Sequence, residues 1–152
     1  MLKGQVSEEL PLIGIEPSAI LAFRDEYPDL AGDKLKDDAK KLGQHALMID
    51  EFLAKEIKKG KLQKNQFSKQ HKHIKLHGHC QQKAIASTNP TKEILSFPEN
   101  YSVEEIPSGC CGMAGSFGYE KEHYKVSMDV GELVLFPAVR ETGKDVMIAA
   151  PG

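Results

Sequence analysis

Tryptophan is absent from this chain, and aromatic residues fill only 7% of its 152 positions. No Lys/Arg cluster is flanked by stacking aromatics, which argues against a nucleic-acid surface. Charges nearly cancel, leaving a net of −2. No apolar run approaches the roughly 18 residues of a membrane span, and no signal-peptide pattern is present. The expected setting is therefore cytoplasmic. Cysteine is scarce, with three residues. An odd number does not build a disulfide framework of the secreted kind. With 40% hydrophobic content, the chain has material for one core and one domain.

The scarce cysteines are concentrated. Cys110 and Cys111 are adjacent, inside a run with glycine at 109, 112, 115 and 118, and Cys80 ends His77-Gly78-His79-Cys80. Adjacent cysteines have α-carbons about 3.8 Å apart, below the roughly 4.4 Å floor of a relaxed disulfide. They are poor partners for each other. A glycine-rich loop can turn several N–H groups onto one anionic object. Thiolates with converging amides describe a metal or cluster site, against the plainer reading of three buried thiols packing as small hydrophobes.

Along the chain, Pro11-Leu12-Ile13-Gly14-Ile15 reads as a buried parallel strand. Ser18 is a cap for a helix from Ala19, limited by Pro28. From Asp33 to Lys59, Leu35, Ala39, Leu42, Ala46, Ile49, Leu53 and Ile57 mark one helical face. Unbroken, that helix would span roughly 40 Å, so a break is expected near Gly43. Lys61 to Lys72 reads as a polar loop. His73 to His79 alternates as a second strand, and Cys80 follows at a helix N-terminus, where the dipole favours thiolate. His77 and His79 are weaker candidates for the site. A short helix over Lys92–Phe97 and a third strand over Tyr101–Ile106 lead to Pro107 and the glycine-rich loop. A helix from Glu120, with Tyr124, Met128, Gly131 and Leu135 inward and Pro137 dividing it, precedes a fourth strand at Asp145–Ala150. The fold class is α/β, three-layer, with a mainly parallel sheet of about four strands and flanking helices. Cys80 and Cys110-Cys111 would then leave the carboxyl edge of one sheet, where open α/β folds bind ligands.

Gly109-Cys110-Cys111-Gly112-Met113-Ala114-Gly115-Ser116-Phe117-Gly118, with His79-Cys80 before it, resembles the cysteine-rich CCG domain of heterodisulfide-reductase-type proteins. The likeness runs from about Leu12 to Gly152 and is greatest with the iron–sulfur part of FAD-linked oxidases of D-lactate, glycolate or 2-hydroxyglutarate. It implies a [4Fe-4S] cluster on Cys80, Cys110 and Cys111, with Gly109, Gly112 and His79 around it. It also implies FAD elsewhere in the polypeptide or complex, since no Gly-x-Gly-x-x-Gly follows a strand here. FAD-binding and ferredoxin-like domains or subunits would be the partners, with a D-2-hydroxy acid oxidised elsewhere and a peripheral link to a membrane electron acceptor. Residues 1–32 match the end of a first repeat and 33–152 most of a second, a fragment of a longer polypeptide whose strand-like start follows Met1 and whose last strand runs out at Gly152. The family often has cysteine at the position of Ala19 and histidine at that of Gln81, so a ligand or role tied to those residues is missing here. The second repeat's last cysteine is expected beyond Gly152, so a cluster here would be held loosely or lost. Zinc on the three cysteines and one histidine, a thiol/disulfide enzyme using Cys80 or Cys111, and a subunit-docking domain with vestigial cysteines are the alternatives. The absence of Cys-x-x-Cys weighs against the thiol enzyme.

Overall fold

A computed structural model describes Leu2 and residues 4–151. The readings made at Met1 and Gly152 fall outside those residues. The described residues form two parallel sheets flanked by helices, an α/β fold. β1 (Leu12–Gly14) pairs with β2 (Ala46–Met48), and the second sheet has the order β4-β3-β5. Its members are β3 (Lys72–Leu76), β4 (Tyr101–Glu105) and β5 (Val146–Ala149).

β2 differs from the expected helical face. Ala46, Leu47 and Met48 are all buried, and a short all-apolar run suits a strand covered on both sides. The stepping that included Ala46 comes from the two helices on either side, α3 (Lys36–Gln44) and α4 (Ile49–Lys58). The break does fall next to Gly43. Ala46 and Met48 pack with Ile20 and Leu21 as a core cluster, which Leu12, Phe23 and Ala86 border. Full burial of a side chain such as Leu21 contributes about 2 kcal/mol.

Arg24 locks this half together. Its Nε donates to Ala46 O at 2.9 Å and its Nη1 to Glu51 Oε1 at 2.9 Å, while Glu51 also accepts the Met48 amide. The carboxylate partner of Arg24 lies 27 residues on, in α4, and not beside it in sequence.

Three local boundaries also differ. Helix α1 (Pro17–Leu21) is capped by Glu16, whose carboxylate accepts the Ser18 and Ala19 amides, with Ser18 inside the helix. Pro28 lies within α2 (Glu26–Leu30), whose first turn has no need of its N–H. After the loop, α7 (Tyr124–Glu132) starts later than Glu120 and leaves Tyr124 exposed, while Met128 is half-buried and Gly131 and Leu135 are buried. α8 (Leu135–Arg140) then carries Pro137 in its first turn. Two further helices, α5 (Cys80–Ile85) and α6 (Asn89–Leu95), join β3 to β4. Gln82, fully buried, donates to Asp50 Oδ2 at 3.0 Å and Thr91 Oγ1 at 2.8 Å, tying α4, α5 and α6. No described helix is long and apolar enough to cross a membrane.

Candidate functional site

β3 and β4 are parallel neighbours, and Leu76 stands opposite Glu105 in register. Both chains therefore leave the sheet by the same edge. His77-Gly78-His79 carries one into α5, and Ile106-Pro107-Ser108 carries the other into the glycine-rich loop. This adjacency sets Cys80 Sγ 3.9 Å from Cys110 Sγ, although 30 residues separate them. Cys111 follows on the same turn, and all three cysteines are free and half-buried.

The two facing sulfurs have opposite proton affinities. The Gly112 amide, 3.3 Å from Cys110 Sγ, is the largest cause holding that thiol below its ordinary value. Burial raises it somewhat, and the Cys80 and Cys111 thiols lower it again. Cys80 is pushed up, first by burial and then by its bond to Cys110 and the charge there, which its own backbone offsets only in part. The helix-terminus expectation placed the lowered thiol at Cys80, whereas Cys80 is raised and Cys110 is the one lowered. A two-turn helix offers a weak dipole, and a directed amide outweighs it.

Gly112 makes that amide available. Its φ is +93°, and a Cβ there would lie 2.2 Å from the Ser127 carbonyl oxygen of α7. Only glycine fits. Gly109 differs: a Cβ there would meet nothing within 4 Å, so its role is not enforced by packing. His79 is half-buried; its Nε2 lies 3.4 Å from Ser18 Oγ, and its buried Nδ1 has no hydrogen-bond partner among the described residues. His77 is 7% exposed, and its Nδ1 lies 2.6 Å from Ser108 Oγ. Burial first, then the Lys83 and His79 charges, hold its imidazole below the ordinary histidine value. Met113 and Phe117 are half-buried, and Phe117 stacks on His123 with centroids 4.0 Å apart. Tyr119 is 83% exposed.

Sequence reasoning missed Ser108, Ser127 and any contact of Lys83 with the loop. Ser127 had no local signal, because only the packing of α7 on the loop gives it a role. Lys83 carried one faint signal, its place one turn after Cys80.

The donor set suits a thiolate-bound cluster in kind: three thiols on one rim, and a loop amide directed at one of them. It is not a closed single-ion site. Among the described residues, no group of three or more His, Cys, Asp or Glu side chains is arranged to hold one metal ion.

Comparison with known proteins leads to oxidoreductases. The chain is similar to D-2-hydroxyglutarate dehydrogenase of Haemophilus influenzae, 30% identical over 128 residues, which are 80% of this chain and 12% of that protein. It is similar to parts of oxidoreductases. One subunit of the anaerobic glycerol-3-phosphate dehydrogenase of Escherichia coli K12 is 28% identical over 139 residues, 91% of this chain and 33% of that subunit. D-2-hydroxyglutarate dehydrogenase of Pantoea ananatis is 25% identical over 141 residues, 92% of this chain and 13% of that enzyme. The chain thus spans from about an eighth to a third of the length of these relatives. No family model and no solved structure matches it.

Proposed function

We propose that this chain is an iron–sulfur electron-transfer segment of an oxidoreductase that acts on D-2-hydroxy acids. The observation that carries the reading is the approach of Cys80 Sγ to Cys110 Sγ at 3.9 Å, with Cys111 beside them and the Gly112 amide on Cys110. Cys80, Cys110 and Cys111 would hold a [4Fe-4S] cluster, with Gly109, Gly112 and His79 lining it. The group would supply one-electron steps. The chain's own part is to keep thiolates charged through loop amides and to shield them with Met113 and Phe117. FAD in another part of the protein or complex would take two electrons from the substrate. FAD-binding and ferredoxin-like domains or subunits, and a peripheral membrane acceptor, complete this reading. A CCG-type domain, with a first repeat ending near residue 32 and a second following it, is the arrangement it assumes.

Anaerobic purification of the full-length protein, with iron, sulfide and flavin analysis, tests it. Iron and acid-labile sulfide in equal amounts, lost together when Cys110 and Cys111 become serine, are expected. Metal-free protein with full turnover would leave the subunit-docking alternative.

A thiol–disulfide reading stands second, favoured by the lowered Cys110 thiol facing Cys80. Its nucleophile would be Cys110, in place of the Cys80 or Cys111 expected from sequence. Zinc ranks below both, because a three-donor group for one ion is not formed among the described residues.

A further inference from the structure

The loop that bears Cys110 and Cys111 is held from below by a lysine. Lys83, half-buried on α5, extends its Nζ to Ser108 O at 2.6 Å and to Gly109 O at 3.1 Å. These are the two carbonyls just before Cys110. A trans peptide unit points its N–H opposite to its C=O. Fixing both carbonyls on Lys83 therefore turns the amides of Gly109 and Cys110 to the other side. Neither amide has a hydrogen-bond partner among the described residues. They are oriented donors in reserve.

The rest of the neighbourhood supports the clamp. Buried Ser108 is gripped through its hydroxyl by His77, so the residue under Lys83 cannot slide. Gly78 leaves room for Thr88 and Glu105 at the end of β3: a Cβ there would come within 2.5 Å of Thr88 Cγ2 and 3.3 Å of Glu105 Oε1, and would only touch Lys83 Cδ at 3.5 Å. Glu105, paired with Lys92 at 2.9 Å, also feels the Lys83 charge. Burial works against that carboxylate, but Lys92, Thr88 and the Lys83 charge together keep it ionised.

We infer that Lys83 is a positioning residue for the Cys110-Cys111 loop. It aims the Gly109 and Cys110 amides at the anionic sulfur group of the site, and adds a positive charge behind them. This rests on the iron–sulfur reading for the identity of that group, but not for the clamp. Oriented amides and nearby cations favour the more negative, reduced form of a cluster, so they raise its potential.

The test uses the full-length protein with Lys83→Met, Lys83→Arg and, as a charge control that does not touch the loop carbonyls, Lys92→Met. In metal-free protein, exchange of the Ser108 and Gly112 amides, which are bonded to Ile106 O and Cys110 Sγ, is expected to quicken about tenfold or more in Lys83→Met. It should stay near wild type in Lys83→Arg and Lys92→Met. Wild-type protection in Lys83→Met overturns the inference. If that variant also loses protection across β3, Lys83→Gln replaces it and is read in the same way. In iron-loaded protein, the redox-titrated EPR signal that Cys110→Ser abolishes is expected at lower potential in Lys83→Met and restored in Lys83→Arg. An unchanged potential also overturns the inference. Absence of any such signal in wild type sinks the iron reading instead, and the exchange measurement then decides on Lys83 alone.

Discussion

The α-carbon of Gly112 packs against the carbonyl of Ser127, so closely that a Cβ would stand 2.2 Å from the oxygen. A loop residue and a helix residue thus meet with no side chain between them, and the Gly112 amide is left facing Cys110. Gly112→Ala combines this clash with a φ of +93°. We expect it to cost roughly 3 kcal/mol and to loosen the cysteine loop. Gly109→Ala, with open space around it, should stay within about 1 kcal/mol of wild type. Urea unfolding of the two variants side by side checks the contrast.

Thiol reactivity should separate the facing cysteines. Cys110 is held below the ordinary thiol value and Cys80 above it. Since the thiolate is the nucleophile, alkylation of metal-free protein should begin at Cys110 as pH rises, and reach Cys80 last of the two. Peptide mass spectrometry after timed iodoacetamide labelling measures the order. Equal pH midpoints would contradict the amide assignment.

His77 makes stability fall in mild acid. Its folded-state proton affinity is reduced by burial and the Lys83 charge. The unfolded chain therefore binds more protons as pH drops below the ordinary value of 6.5, and folding weakens from there downward. Glu105, also held down in the fold, adds a similar loss at lower pH, as its carboxylate protonates. His77→Gln should remove the upper part of this slope, read from denaturation midpoints between about pH 7 and 5.

Removing the guanidinium at Arg24 should cost about 2 kcal/mol. It would strip Ala46 O and Glu51 of their partner in a half-buried setting, where the two side chains are 22% and 16% exposed. Arg24→Met shortens little, so most of the loss is polar. A thermal shift of several degrees with the cysteine chemistry unchanged is the expected result.

Local pattern was enough for much of the molecule. A short apolar run marked the strand at Leu12 and alternation the one at Ile74, and the glycine spacing marked the cysteine loop. Alternation and punctuation are properties of neighbouring residues, so they survive in a one-dimensional reading. Where one segment serves two elements, the reading failed: Ala46-Leu47-Met48 continued a helical period and became a strand, because burial on both faces is decided by what packs there. Glu16 took the cap that Ser18 was expected to supply, since its carboxylate reaches two amides at once.

By itself the sequence determined an α/β chain with three thiols and a glycine-rich turn. Only the tertiary structure decided that β3 and β4 are neighbours, and hence that Cys80 meets Cys110. It also decided which of those sulfurs gives up its proton more readily. Strand order and amide direction depend on contacts between residues far apart in the chain, and neither leaves a mark in the residues nearby.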